Sequence, residues 1–361
     1  ARLRSTRIGR KIEFDCNSLH WFAPATPQFK LTSMMAYRVK FNAELEKDVR
    51  RLLSAQVGRA IGHLTGVLDD GGSAIHATRK SLKRCRSILR LVRPGLSRAD
   101  FRTCDLAFRD IGRLLSHDRD SEVMTETLTQ LAADAETSKD KAALAAALNT
   151  LGADKLNGYA HTQATQNTDA AIGRLHDAEH AIHALKVKHA DITTLAAGFA
   201  DTYSDGRKAL RKAYRAQDDE AFHTFRKALQ HHWRHCQLLV QVWPEMMDVR
   251  IAAAREQSQL IGMDHDLSLL TAHFSDTGSS KLEPDIRQHV CALAKAEQTR
   301  IRSAAKPLAR RLYALPPADL ERMILKTWPA AKSLARHRRR PSAAALTSSG
   351  QPLPAKDAGP D

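Results

Sequence analysis

The stretch His76-Ala77-Thr78-Arg79-Lys80-Ser81-Leu82-Lys83-Arg84-Cys85-Arg86 has a counterpart that begins 147 positions later, at residue 223. The counterpart reads His223-Thr224-Phe225-Arg226-Lys227-Ala228-Leu229-Gln230-His231-His232-Trp233-Arg234. In both stretches a histidine is followed, about one helical turn later, by arginine and lysine. Such a repeat indicates two copies of one structural unit. The sequence therefore predicts two similar halves, each with a cationic helix.

Both stretches are amphipathic when they are placed on a helical wheel. At about 100° per residue, Arg79, Lys83, Arg86 and Arg90 lie within about 60° of one another. The apolar side chains of the same segment lie opposite and are predicted to pack in a core. The second copy has the same geometry, with His232 among its packed positions and His231 toward its cationic side.

The first cationic stripe contains no acid between residues 76 and 93. Like charges three or four positions apart on a helix repel by a few tenths of a kcal/mol per pair. We therefore expect an external anion to relieve this repulsion.

A second motif also repeats. Residues 109–120, RDIGRLLSHDRD, correspond to residues 255–266, REQSQLIGMDHD. Asp120 and Asp266 are placed to orient neighbouring guanidinium groups. The alternative is an ordinary surface ion pair, which contributes about 0–1 kcal/mol.

Composition favours an all-α protein with an anionic partner. Of the 361 residues, 43% are hydrophobic but only 5% are aromatic, and the formal net charge is +16. Helix-forming Ala, Leu, Arg and Lys are abundant, and long β-branched runs are absent. Five scattered cysteines predict neither disulfides nor a zinc site. No apolar run reaches the roughly 18 residues of a membrane span, so we expect a cytoplasmic protein without a membrane partner.

Breaks at glycine and proline predict ten helices. We place them at 42–69, 73–93, 98–132, 138–158, 167–188, 190–215, 218–243, 247–275, 281–314 and 317–335. Residues 36–188 form the first helical-bundle half in this prediction and residues 189–335 the second. Residues 1–35 are expected to be disordered or a non-native leader, and residues 336–361 a disordered tail.

The motifs resemble the CHAD family, the conserved histidine α-helical domain, which is associated with inorganic polyphosphate. The matching residues are His76, Arg79, Lys83, Arg84, Arg86, Arg119, Asp120, His223, Arg226, Lys227, Leu260, Gly262 and Asp266. The chain departs from the pattern at Gln230 and His231. The resemblance covers residues 36–335. It implies two four-helix bundles related by a pseudo-twofold, with basic helix faces lining a central groove or pore.

The leading hypothesis is non-enzymatic binding of inorganic polyphosphate, in the cytoplasm or on polyphosphate granules. The residues predicted to bind polyphosphate are His76, Arg79, Lys80, Lys83, Arg84, Arg86, Arg90, Arg109, Arg113, Arg119, His223, Arg226, Lys227, His231, Arg234 and Arg255. Two alternatives are a nucleic-acid-binding protein and an accessory subunit of a phosphate-processing enzyme. No nucleotide-binding, acyl-transfer or zinc-protease motif is present, and no cofactor or metal is expected.

Overall fold

The computed structural model describes residues 37–41, 44–69, 73–115, 117–156, 160–276 and 282–337. Within these ranges the secondary structure is helical, with no strand, so the predicted all-α class is confirmed. The α-helices are α1 (Leu45–Leu64), α2 (Ala74–Leu91), α3 (Arg98–Leu114), α4 (His117–Asp134), α5 (Ser138–Leu156), α6 (Ala160–Ala184), α7 (Ile192–Ala216), α8 (Asp219–Leu238), α9 (Pro244–Ser275), α10 (Pro284–Leu312) and α11 (Pro317–His337). Short 3-10 turns follow α2 and α8 at Arg93–Gly95 and Val240–Val242.

Short polar side chains and prolines define where several helices begin. Ser73, Ser97 and Asp218 each accept a hydrogen bond from the backbone N–H three residues later, at the starts of α2, α3 and α8. Such caps satisfy N–H groups that have no partner within the helix. Pro244 and Pro317 stand at the first positions of α9 and α11, where the missing N–H costs nothing. The predicted breaks at these two prolines are confirmed.

One predicted helix is wrong. The segment predicted as a single helix at 98–132 forms two helices, because α3 ends at Leu114 and α4 starts at His117. The Arg79 guanidinium donates to the carbonyls of Gly112 and Leu115, at 2.8 and 3.2 Å. A side chain of α2 thus satisfies carbonyl groups at the end of α3 that a continuous helix would pair with its own backbone. In the second half of the chain, α9 is continuous over the corresponding positions.

The helices pack in two rings of neighbours. The first ring contains α1, α2, α3 and α6, and the second contains α4, α5, α10 and α9. Helix α7 packs against α8 and α11, and α2 contacts both α7 and α8. Three contacts of the first half have counterparts in the second. The contact of α1 with α2 corresponds to that of α7 with α8, α1 with α6 corresponds to α7 with α11, and α2 with α3 corresponds to α8 with α9. The twofold relation itself stays a prediction.

Two hydrophobic clusters hold these helices together. The larger extends from Tyr37 to Ile324, and the smaller joins Leu128 and Leu144 to Phe274 and Val290. Both clusters contain residues from either side of the predicted division at 188/189. The division into halves therefore describes the repeat and does not separate two cores.

The predicted end segments fall almost entirely outside the described residues. This applies to residues 1–35 and to residues 338–361. Residues 336 and 337, predicted to be in the tail, belong to the last turn of α11.

Candidate functional site

The first basic stripe lies on α2, on the side away from its apolar residues. The apolar residues Leu82, Cys85, Ile88 and Leu89 are buried in the larger core cluster. Arg79, Arg86 and Arg90 are half-buried, and Lys83 is exposed. The helix thus anchors one face in the core and leaves its charged face accessible.

Asp105 of α3 neutralises part of this stripe. Its carboxylate accepts two hydrogen bonds from Arg86, at 2.9 and 3.0 Å, and one from Arg90, at 2.6 Å. Burial works against ionisation of Asp105, but the hydrogen bonds and charges of Arg86 and Arg90 outweigh it and lower the pKa of the carboxyl group. The expectation that an external anion relieves the stripe is therefore wrong for Arg86 and Arg90, because an acid from the neighbouring helix does so.

Arg84 points toward the segment before α1. Its guanidinium carbon lies 4.9 Å from the centre of the Tyr37 ring, which is within the range of a cation–π contact. Tyr37 Oη donates to the Arg84 carbonyl at 3.3 Å, and Arg84 Nη1 donates to Gln56 at 3.4 Å. Arg84 therefore joins α2 to α1 and to Tyr37.

Hydrogen bonds connect α2 directly to α8, the helix of the second repeat. Ser87 Oγ and His231 Nδ1 lie 2.8 Å apart, and His235 Nε2 donates to the Ser87 carbonyl at 2.7 Å. Burial, followed by nearby arginines that include Arg90 and Arg234, lowers the pKa of His231 well below its ordinary value. His231 is therefore neutral near pH 7 and contributes a helix contact instead of a charge.

Lys83 lies where the two stripes meet. Desolvation lowers the pKa of its ammonium group to about 7, assisted by the charges of Arg226 and Arg234 on α8 and of Arg79 on α2. Asp266 of α9 acts in the opposite direction but does not cancel these charges. Lys83 is nevertheless exposed to solvent. Positive charges from both α2 and α8 therefore lie around this accessible position.

Arg234 is the buried member of the second stripe. Its Nη1 donates to the Gln230 carbonyl at 2.9 Å, and the side chain is 8% exposed. Burial lowers the pKa of its guanidinium to about 10, although the neighbouring Tyr37 acts in the opposite direction. Arg234 thus remains charged at neutral pH and adds to the positive potential around Lys83.

Two stacked histidines border the same region. The rings of His223 on α8 and His265 on α9 lie 4.3 Å apart at 26°. Burial and then the charge of Arg226 lower the pKa of His265 to about 3. Burial, followed by the charges of Lys227 and Arg226, also lowers the pKa of His223. Both rings are therefore neutral at pH 7 in the ligand-free protein.

Arg226 lies beside α9 at Gly262. A Cβ atom at Gly262 would lie 3.9 Å from Arg226 Nη2, so the guanidinium rests close to the glycine backbone. We call Arg79, Lys83, Arg226, Lys227 and Arg234 the cationic cluster. It combines side chains from both sequence repeats.

The remaining predicted site residues lie around the cluster or away from it. His76 is half-buried in the first turn of α2, and Lys80 and Arg255 are exposed. Arg109 donates to Asp110 at 2.9 Å, and Arg113 lies 3.9 Å from the same carboxylate. The side chain of Arg119 lies outside the described residues.

Asp105, His265 and Tyr37 were not among the predicted site residues. Of these, only His265 had a sequence signal, because it occupies in the second motif the position that Arg119 occupies in the first. Asp105 and Tyr37 come from segments that do not repeat. Their proximity to the arginines depends on helix packing.

These observations define a helical protein in which two repeated basic helices meet at a cationic cluster. A family model described as the CHAD domain matches residues 51–275, so the chain belongs to the CHAD domain family. The chain is also similar in structure to PptA from Streptomyces chartreusis, with 16% sequence identity and a TM-score of 0.50. That similarity covers 76% of this chain and 100% of PptA, and it concerns the fold alone. None of the curated proteins matches the sequence significantly.

The described part of the chain also lacks two kinds of feature, a membrane-spanning helix and a metal-binding cluster. There, every helix is too short or too polar to cross a membrane. The same residues include no group of three or more His, Cys, Asp or Glu side chains that could hold a metal ion. His180, one of a group of closely spaced histidines on α6, bonds through Nδ1 to the His176 carbonyl at 2.9 Å.

Proposed function

We propose that the protein binds inorganic polyphosphate at the cationic cluster and does not catalyse its turnover. The observation that carries the proposal is the convergence of positive charge from both repeats on Lys83. Membership of the CHAD family, which is associated with polyphosphate, supports the choice of ligand. Binding in the cytoplasm or on polyphosphate granules is part of the same proposal.

The electrostatics of Lys83 suit a polyanion. Burial contributes most to the lowered pKa of Lys83, and the nearby arginines add a cost of charge repulsion. A chain of phosphates would remove that cost and release the counterions condensed on it, as happens when proteins bind nucleic acids. The arginines can bind phosphate oxygens bidentately, whereas Lys83 and Lys227 act as mobile point charges. This mixture suits a flexible, repeating anion.

Lys83 is exposed among charges from both repeated helices, which suits a ligand that spans them. Solvent reaches the Lys83 side chain, although the surrounding protein makes its charged form costly. An anion that approaches Lys83 meets charges of α2 and α8 together. We infer that an elongated phosphate chain lies across α2 and α8 at Lys83.

Single-stranded nucleic acid is a less suitable ligand for this cluster. Proteins that bind single strands commonly stack bases on accessible aromatic rings. Trp233, the neighbour of Arg234 in sequence, is half-buried, and its indole N–H is buried. The cluster therefore offers phosphate-binding charge without an evident stacking surface.

The test compares two variants that each replace two exposed lysines. Lys83→Gln/Lys227→Gln removes the exposed lysines of the cluster, and Lys139→Gln/Lys141→Gln removes two exposed lysines of α5. We expect the first variant to bind polyphosphate about tenfold more weakly or worse, because each charged contact contributes more than about 1 kcal/mol. The second variant should bind within about twofold of the unmodified protein.

Three outcomes would contradict the proposal. These are equal affinity of the two variants for polyphosphate, tighter binding of RNA or DNA than of polyphosphate at one salt concentration, and release of orthophosphate from polyphosphate by the purified protein. The last outcome would favour a phosphate-processing enzyme.

A further inference from the structure

A second basic surface lies away from the cationic cluster, between α7 and α10. Arg207 and Arg211 are one helical turn apart on α7, and Lys306 and Arg310 are one turn apart on α10. Arg211 and Arg310 are exposed, and Arg207 and Lys306 are half-exposed. None of the four belongs to the repeated motifs or to the predicted site.

The contacts between α7 and α10 show that these segments run antiparallel. Near one end, Tyr203 Oη donates to the Leu312 carbonyl at 3.3 Å. Near the other end, Tyr214 Oη donates to the Arg302 carbonyl at 2.8 Å. Residues 207 and 211 lie between the two tyrosines on α7, and residues 306 and 310 lie between 302 and 312 on α10. The four basic residues therefore belong to the same length of the helix pair.

Both basic pairs border the line of contact between the helices. On a wheel of α7, Arg207 and Arg211 lie within about 40° to 80° of Tyr203, which faces α10. Lys306 Nζ lies 5.3 Å from the centre of the Tyr214 ring, and Arg310 is close enough to lower the pKa of Tyr214 while burial raises it. We call the strip bordered by Arg207, Arg211, Lys306 and Arg310 the α7–α10 seam.

The acids that the structure describes near the seam do not pair with it. Within the described residues, none of its four basic side chains forms an ion pair. On the wheel, Asp205 lies about 160° from Arg207, and Glu297 lies about 180° from Lys306. Glu297 pairs with Arg300, and Asp219 pairs with Arg302. Asp205 therefore lies on another side of its helix, and Glu297 and Asp219 are paired with other arginines.

We infer that the α7–α10 seam is a second polyanion-binding surface, on which a linear polyphosphate chain lies between two rows of basic side chains. Within each row the charges are about 6 Å apart along the helix, at 1.5 Å per residue. Tyr203 and Tyr214 of α7 reach the backbone of α10 along this length, so an extended chain along the seam reaches both rows. The choice of polyphosphate as the occupant rests on the proposed function.

The aromatic residue of the seam favours polyphosphate over single-stranded nucleic acid. Lys306 covers the Tyr214 ring, and the ring also packs edge-on against Phe222 at 5.1 Å. The hydroxyl group of Tyr214 is bonded to Arg302. Because the ring is occupied in this way, it is not available to stack on a base.

Two surfaces on one molecule would let the protein bridge phosphate chains. The first test is the binding stoichiometry of a short polyphosphate of one defined length, measured by calorimetry on the full chain at low salt. We expect two short chains per molecule. The variant Arg207→Gln/Arg211→Gln/Lys306→Gln/Arg310→Gln should bind one, with the remaining dissociation constant changed by less than about threefold. Mixtures of this variant with long polyphosphate should also scatter less light than mixtures with the unmodified protein, because a protein with one surface cannot bridge chains.

The control variant loses four exposed lysines elsewhere, namely Lys139, Lys141, Lys186 and Lys188. It should still bind two chains, which separates the seam from the loss of net charge. Two half-variants, Arg207→Gln/Arg211→Gln and Lys306→Gln/Arg310→Gln, keep the test usable if the fourfold seam variant does not fold. Each half-variant should raise the dissociation constant of the second short chain, the one assigned to the seam.

The two proposals fail in different ways. If the seam variant still binds two short chains with unchanged affinity, the seam inference is wrong. If Lys83→Gln/Lys227→Gln removes all binding, the seam does not act by itself and only the proposed function survives. If the seam variant removes all binding, the cationic cluster is not the site and the seam survives. Displacement from the seam by duplex DNA at equal phosphate concentration would show that its occupant is a nucleic acid.

Discussion

At the scale of single residues, Lys83 is the basic side chain whose pKa responds most directly to the charges of both repeats. An isolated lysine has a pKa near 10.4, so a value of about 7 means that the charged form is strongly disfavoured in the ligand-free state. The causes are desolvation first and the arginines Arg226, Arg234 and Arg79 second. In the complex, a bound polyanion would offset the charges of these arginines at Lys83.

Binding of polyphosphate should therefore be linked to protonation of Lys83. Above pH 7 the free protein holds Lys83 largely neutral, and a bound polyanion raises its pKa, so binding takes up a proton. Affinity should consequently fall as the pH rises from about 7 to 9, and proton uptake should approach one per site near pH 8. Calorimetry in buffers of different ionisation enthalpy measures this uptake.

The matched variant for this prediction is Lys83→Arg, which keeps the charge throughout the range because arginine does not titrate there. It should remove most of the uptake while retaining binding. Any protonation of the polyphosphate itself is common to both proteins and cancels in the comparison. Equal proton uptake by the two proteins would show that Lys83 is not the coupled group.

At the scale of elements, the sequence predicted the helical class and the placement of α2 and α8, because their apolar and basic positions follow the helical period. It missed the break between α3 and α4, since the residues at 115 and 116 are neither glycine nor proline. At the break, Arg79 of another helix donates to the Gly112 and Leu115 carbonyls, a contact that the local sequence does not predict. Asp105 was missed for a similar reason, because its contact with Arg86 and Arg90 is a tertiary one.

The close approach of α7 to α2 depends on Gly198. A Cβ atom at this position would overlap the carbonyl of Leu91, which is backbone and cannot rotate away. We expect Gly198→Ala to lower the free energy of unfolding by about 1–3 kcal/mol, as overpacking of a core commonly does. Urea denaturation followed by circular dichroism measures the change.

Gly173 of α6 provides the comparison, because a Cβ there meets nothing within 4 Å. Gly173→Ala should raise the free energy of unfolding by about 0.5–1 kcal/mol, since alanine loses less conformational freedom in a helix than glycine. If Gly198→Ala were stabilising to the same extent, the close contact between α7 and α2 would not exist in solution.

At the scale of the whole molecule, 56 basic and 40 acidic residues give the net charge of +16. Such a charge attracts any polyanion at long range, and salt screens this attraction beyond about 8–10 Å. Net charge alone would therefore give binding without a site. Binding at the cationic cluster or at the seam differs from attraction by net charge, because it depends on where the basic side chains lie.

A pair of variants with the same net charge separates position from total charge. Asp105→Asn and Asp319→Asn both raise the net charge by one, but Asp105 holds Arg86 and Arg90, whereas Asp319 forms an exposed pair with Arg322. Because Asp105→Asn frees two arginines beside the cluster, we expect this variant to bind polyphosphate several-fold more tightly. The slope of log affinity against log salt concentration should also become steeper by about one unit. Asp319→Asn should change neither quantity measurably in titrations between about 50 and 200 mM salt. An equal gain in affinity from both variants would mean that net charge, and not the position of the arginines, determines binding.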